Sequence, residues 1–199
     1  MALPAEPAPH LGVLVPVKAF AEAKIRLAGV LPAPERSELA RRMAERVVAA
    51  ASPLPVAVVC DDAGVRTWAE GLGARVIWRP GRGLNGAVTD GVVSLAEMGY
   101  QRVIVAHADL PLATSLAWVA DFDGVSLVPD RREDGTNVAV VPASAAFPFA
   151  YGPGSFARHR RAAERLGLPV RVVRDAALAW DVDVPADLDF DPPLEQPCP

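Results

Sequence analysis

Four short, unbroken apolar runs, separated by helix-length amphipathic stretches, constrain the fold of this chain more than any other feature. "LGVLVPV" (11–17), "PVAVVC" (55–60), "ARVIW" (74–78) and "RVIVAHA" (102–108) lack the alternation of a half-exposed strand. They read as strands buried on both faces. Between the first two, Pro32 and Pro34 lead into "ERSELARRMAERVVAAA", with Leu39, Met43 and Val47 at helical spacing. A second helix is predicted near 62–71, ended by Gly71 and Gly73. A third, over roughly 85–98, carries Val88, Val92 and Leu95 on one face and stops at Gly99. Strands that alternate with helices in this way imply a parallel sheet covered on both sides, built from right-handed crossovers.

After residue 110 the rhythm loosens. "VSLVP" (125–129) and "VAVVP" (138–142) read as strands around the polar loop "DRREDGTN", followed by a helix opened by "GPGS" and a last strand, "PVRVV" (169–173). No stretch resembles a linker, so the chain reads as one α/β domain over 11–190. A disordered N-terminal tail (1–10) and a C-terminal tail (191–199) flank it. A hydrophobic fraction of 51% over 199 residues suits a folded globule, and a net charge of −4 argues against a broad nucleic-acid face. Two cysteines, Cys60 and Cys198, suggest neither a disulfide framework nor a zinc cluster, and a reducing cytoplasm fits. The start, "MALPAEPAPH", lacks the basic and apolar regions of a signal peptide. No apolar run reaches the ~18 residues of a membrane span.

In a parallel α/β sheet, ligands bind beyond the carboxyl ends of the strands, so the residues just after each strand are the ones to read. The first strand runs into "PVKAFAEAKIRL", which brings Lys18, Lys24 and Arg26 to that edge. Three cations there could clamp a triphosphate, or could form a solvated helix face with Glu22 pairing Arg26. A Walker A pattern is absent. "GRGLNG" (81–86) formally matches a dinucleotide fingerprint, but it follows the third strand rather than the first. Glycines that let backbone approach a nucleobase or ribose explain it equally well, and a plain connection is the other reading. "AHADLPL" puts Asp109 at the end of a buried strand, as a magnesium ligand or as the N-cap of a helix after Pro111. His107 points the other way and is expected in the core or behind the site.

"WDVDVPADLD" sets Asp181 and Asp183 on one side of an extended segment, where like charges repel unless a cation or a cluster of basic groups sits between them; a solvated acidic tail is the other reading. Thr136, entering a strand after Gly135, could offer a hydroxyl and an amide to an anion, or close an ordinary turn. "YGPGSFARHRR" offers the amides of a helix start to a phosphate or carboxylate, while the competing role for Ser155 is a helix cap. On that helix Phe156, His159, Ala163 and Leu166 share one face, and Arg158, Arg161 and Arg165 fall on a face expected to be solvated.

"VPVKxxxxAKxRL", "GLN", "ADLP", "DGTN", "YGPGSFARH" and "DVDVPADL" occur in this order over residues 11–190. In that series the chain resembles the 2-phospho-L-lactate or phosphoenolpyruvate guanylyltransferases of deazaflavin coenzyme F-420 biosynthesis. The resemblance implies a GT-A-like (Rossmann-like) nucleotidyltransferase fold. It also implies transfer of GMP from GTP to a phosphorylated three-carbon acid, with magnesium and release of pyrophosphate. By position, it implies phospho-acid contacts at Thr136, Gly152 and Ser155. It implies magnesium ligands at Asp109 and Asp181, with Asp183 assisting. Lys18, Lys24 and Arg26 match the phosphate-binding loop, and Gly83, Leu84 and Asn85 the guanosine side. His107 departs from the small residues usual before "ADLP". The implied partners are GTP and the acid, with no nucleic acid or membrane, and a homodimer is left open. Two rivals stay open as well: a nucleotidyltransferase with another acceptor, such as 3-phosphoglycerate or a molybdopterin-like phosphate, and a non-catalytic nucleotide-binding module.

Overall fold

The buried apolar runs pair into one seven-stranded sheet in the computed structural model, which describes residues 11–189. The strands are β1 (Leu11–Pro16), β2 (Val56–Cys60), β3 (Arg75–Trp78), β4 (Arg102–Ala106), β5 (Val125–Pro129), β6 (Thr136–Pro142) and β7 (Val170–Val172). Four helices connect or flank them: α1 (Ala33–Ala50), α2 (Ala63–Gly71), α3 (Gly83–Glu97) and α4 (Ser155–Arg165). The sheet order is β3-β2-β1-β4-β6-β5-β7. Neighbours are parallel except β6, which runs antiparallel to both β4 and β5. That reversal follows from the short 130–135 loop, which joins β5 to β6 with no crossover helix.

Each face of the sheet is a core layer. Val13, Val15, Val58, Ile104 and Val140 pack on Val47 and Ala50 of α1 and on Val65 and Ala69 of α2. On the opposite face, Leu14, Val59, Val105, Leu127 and Val141 pack on Val88, Val92 and Leu95 of α3 and on Phe156 and Ala163 of α4. Successive strand residues therefore serve opposite layers, which is why the runs show no polar alternation. Gly91 lets α3 press against β1, since a Cβ there would lie 2.6 Å from Leu14 Cδ2.

The first two crossovers step from β1 outward to β3, and the third returns to place β4 on the other side of β1. The direction of winding reverses between β1 and β4, so a crevice opens at their carboxyl ends. Two strand boundaries differ from expectation by two residues. β6 begins at Thr136 rather than 138, and β4 ends at Ala106, with the His107 amide adding one last bond to the Asn137 carbonyl. Among the described residues no helix is long and apolar enough to cross a membrane. The expected tails at 1–10 and 191–199, with Cys198, lie outside the described residues.

Candidate active site

The chain leaves β1 through two short 3-10 turns, Phe20–Glu22 and Ile25–Leu27, rather than a helix. Glu22 and Arg26 consequently form no i,i+4 pair, and the loop instead bends over the crevice. Lys24 holds a left-handed backbone (φ 54°, ψ 38°) that costs a non-glycine residue about 1–2 kcal/mol. The loop gains from it an ammonium aimed at the sheet. Lys24 Nζ donates to Asp109 Oδ2 at 2.6 Å and to Asp183 Oδ1 at 3.2 Å. Arg26 approaches Asp183 at 3.5 Å from the solvent side. The helix-cap alternative for Asp109 falls away, because no α-helix lies between Pro111 and β5.

Burial alone would lower the Lys24 pKa, but Asp109 and then Asp183 outweigh it and hold the ammonium above its usual value. Burial would raise Asp109, yet Lys24 and then His107 pull its carboxyl below the ordinary range. Asp181 lacks such a partner: burial, then Asp109 and Asp183, push it up to about 6. The Val182 amide donates to the Asp109 carbonyl at 3.3 Å, so the 181–183 segment lies directly against the β4 end. Among the described residues Asp109 Oδ1 and Asp181 Oδ1 are buried with no hydrogen-bond partner, whereas Asp183 is committed to Lys24 and Arg26.

Those two orphaned oxygens decide whether a divalent cation fits. Among the described residues no three His, Cys, Asp or Glu side chains form a ready-made metal cage. Magnesium needs none, since it is held by one or two carboxylates together with substrate phosphates and water. Two buried carboxylate oxygens without a donor suit that role, and a cation would offset the burial, and then the repulsion from Asp109 and Asp183, that raise Asp181.

A cavity of about 740 Å³ extends from here along the ends of β4, β1, β2 and β3. Lys18, Lys24, Arg26, Asp109 and Asp183 line one part, with Asp61, Arg79, Gly83 and Leu84 among the residues of the other. Asn85 does not line it. Its Oδ1 accepts the Tyr151 amide at 2.6 Å and ties the start of α3 to the 150–154 turn. His107, expected in the core or behind the site, lines the cavity itself, with its ring 4.7 Å from that of Tyr151. Burial, ahead of the opposing pull of Asp109, lowers its pKa.

Thr136, Gly152 and Ser155 lie outside this cavity lining, around the start of α4. Gly154 is the N-cap, in a left-handed conformation that glycine adopts readily, and no side chain caps the helix. The Ser155 hydroxyl is thus not a cap, although the residue is only 1% exposed. Protein acceptors meet the first amides: Gly154 donates to Asp134 Oδ2, Ser155 to the Gly152 carbonyl and Phe156 to the Asp134 carbonyl, each at 3.0 Å. His159 is fully buried, and its Nε2 accepts the Ala150 amide at 2.9 Å. Its Nδ1 therefore carries the proton and donates to Thr136 Oγ1 at 3.0 Å, which frees the Thr136 hydroxyl to donate onward. Burial, then Arg158 and His107, lower the His159 pKa to about 4.

Two expectations for α4 are corrected. Arg158 is half-buried rather than free in solvent; its guanidinium donates to the Ala150 carbonyl at 2.8 and 3.1 Å and also reaches the Pro153 carbonyl. Leu166 is 43% exposed because the helix ends at Arg165, and Ala162 takes its place in the core. Sequence reasoning also passed over Asp187. This fully buried carboxylate accepts the amides of Asp183 (2.7 Å) and Val184 (2.8 Å) and pairs with Arg131 and Arg132. It fixes the loop that carries Asp181 and Asp183. The signal was present in "VPAD", a proline at the first helical position with an acid two residues later.

A family model described as "Guanylyl transferase CofC like" matches residues 11–190. A phosphoenolpyruvate guanylyltransferase of Sphaerobacter thermophilus is 36% identical over 185 residues, covering 88% of this chain and 89% of that protein. Another of that name, from Rubrobacter xylanophilus, is 38% identical over 184 residues, with 88% and 90% covered. Among solved structures, a nucleotidyl transferase from Methanothermobacter thermautotrophicus superposes with a TM-score of 0.62 at 14% identity, covering 90% of this chain and 94% of that one. That likeness concerns the fold, which is of the GT-A-like type.

Proposed function

This chain belongs to the CofC-like guanylyl transferase family and is a nucleotidyltransferase; from that premise we propose that it transfers GMP from GTP to phosphoenolpyruvate, releasing pyrophosphate, as a step of deazaflavin coenzyme F-420 biosynthesis. The observation that carries the reading is the ammonium of Lys24 held between Asp109 and Asp183 at the winding reversal, beside two unpartnered carboxylate oxygens.

In the proposed reaction a phosphate oxygen of the acid attacks the α-phosphorus of GTP, and the bond to the β-phosphate oxygen breaks. The attacking phosphate carries roughly −1.5 to −2 charge at neutral pH and needs no general base. On this reading the site calls for no Ser-His-Asp or Cys-His arrangement. The task left to the protein is to bring two polyanions into line and offset their repulsion. Lys18, Lys24 and Arg26 serve as the cations of the triphosphate, with Lys24 moving from Asp109 toward the phosphates as they enter. Gly83 and Leu84 form the wall beside the nucleoside, and Asn85 holds that wall to the 150–154 turn.

Asp109 and Asp181, with Asp183 beside them, are the residues that would hold magnesium. When bound there, magnesium supplies charge neutralisation on the transferring phosphoryl oxygens. For the acid, Thr136, Gly152 and Ser155 are the proposed contacts. In support, the His159 tautomer leaves the Thr136 hydroxyl a donor, and Ser155 is a buried hydroxyl with no capping role.

The test is a pyrophosphate-release assay that combines GTP with phosphoenolpyruvate, 2-phospho-L-lactate or 3-phosphoglycerate in turn. Phosphoenolpyruvate is expected to give the highest kcat/KM. A clear preference for either other acid would reassign the acceptor, and no release with any of them would remove the reading.

A further inference from the structure

The cavity end farthest from Lys24 contains a carboxylate that the phosphate chemistry does not use. Asp61 follows directly on β2, lines the cavity, is exposed, and has no hydrogen-bond or ion-pair partner among the described residues. Its neighbour Asp62 is accounted for, since it caps α2 through a 2.8 Å bond from the Val65 amide. Glu22 also lines the cavity without a partner among the described residues, but it sits in the loop of Lys18, Lys24 and Arg26, on the phosphate side.

Strand order fixes how far Asp61 lies from the reacting end. β2 is two strands from β4, and at a spacing of ~4.8 Å per strand that separation is about 10 Å. A nucleoside monophosphate spans such a distance, so a nucleotide whose α-phosphate lies by Lys24 and Asp109 brings its base to the β2 and β3 ends. There the wall offers an acceptor and donors. Asp61 is the acceptor. The start of α3 at Gly83 and Leu84 has no side-chain cap, and its first amides have no partner within the helix. Arg79 lines the same wall, but its guanidinium is turned to the Trp78 carbonyl and the Ser94 hydroxyl, both at 2.8 Å.

We propose that Asp61 reads the base: its carboxylate accepts the N1–H and 2-amino protons of guanine, while the opening amides of α3 face O6. This deepens the guanylyl transfer reading and rests on it. The chemistry discriminates by sign. Guanine presents two adjacent donors and a carbonyl acceptor, whereas adenine would turn a ring-nitrogen lone pair toward the carboxylate and its amino group toward the amides. Xanthine, with a carbonyl in place of the 2-amino group, would likewise oppose the carboxylate. An amide at position 61 reverses that preference, because its NH2 donates to the xanthine carbonyl while its oxygen still accepts N1–H.

The experiment measures pyrophosphate release with phosphoenolpyruvate and GTP, ITP, XTP or ATP, for wild type and for Asp61→Asn. Wild type is expected to favour GTP over ITP, and both over XTP and ATP. Asp61→Asn should lose about ten- to a hundredfold in kcat/KM for GTP and come to favour XTP. Asp61 is exposed, so the melting temperature should hold, and Asp61→Ala should lose the GTP preference without gaining one for XTP. A wild-type protein that uses GTP beside an Asp61→Asn variant with an unchanged GTP preference would overturn the assignment. Wild type that uses none of the four nucleotides would overturn the guanylyl transfer reading, and the base assignment with it.

Discussion

At the scale of single residues, the site is organised by groups whose protonation state is imposed on them. His159 is the clearest case, because the Ala150 amide fixes its tautomer and burial keeps it neutral with a pKa of about 4. In the unfolded chain a histidine titrates near 6.5. Between those values the unfolded state binds a proton that the folded state does not, so stability falls as pH drops from 6.5 to 4 and levels off below. The shift is worth about 3 kcal/mol. A His159→Gln variant, whose amide oxygen can still accept from Ala150, is expected to flatten that part of the curve in urea titrations. Equal slopes for both proteins would contradict the tautomer argument. Little of this was legible in the sequence. Helical spacing correctly put His159 on the buried face of α4, but the same wheel left Arg158 in solvent. A wheel records direction from the axis; it cannot show that the 150–153 turn folds back and offers carbonyls to that guanidinium.

At the scale of elements, the apolar runs located all seven strands to within two residues. Burial on both faces explains the unbroken signature of the inner strands, whereas the edge strands β3 and β7 are only partly buried, contrary to the expectation for 74–78. The start of β6 was missed for a physical reason: Thr136 and Asn137 are polar yet 2% and 3% exposed. Their burial is sustained by partners far away in sequence, such as His159 for Thr136 and the Leu178 carbonyl for Asn137. The 180–187 loop depends likewise on a distant contact, since Asp187 is neutralised by Arg131 and Arg132 from the turn between β5 and β6. Arg131 also stacks on Trp180 at 4.1 Å, so loop and turn form one unit. Removing a buried charge leaves its partner uncompensated, at a cost of about 3–5 kcal/mol. Asp187→Ala is expected to lower the urea midpoint accordingly and to raise the magnesium concentration needed for half-maximal rate. Adding Arg131→Met should recover stability but not the magnesium requirement. Recovery of both would show that Asp187 has no part in positioning Asp181 and Asp183.

At the scale of the whole molecule, winding outward to β3 and back to β4 fixes where everything else must be. It opens one crevice, in which the proposed reading sets phosphate chemistry at the β1 and β4 ends and a base at the β2 and β3 ends. The sequence contained that plan in its strand–helix order, and six short motifs in series pointed to the family that the comparisons show. Contacts that close through space, such as Lys24 between two carboxylates 85 and 159 residues away, were not readable from spacing. The central claim is that a phosphate oxygen of the acid displaces pyrophosphate from the α-phosphorus of GTP. It is tested most directly by following label from α-32P- and γ-32P-GTP in the presence of phosphoenolpyruvate. The α label is expected in a product that contains the acid and the γ label in pyrophosphate. Transfer of the γ label to the acid, or release of label as free GMP without an acid adduct, would contradict the account.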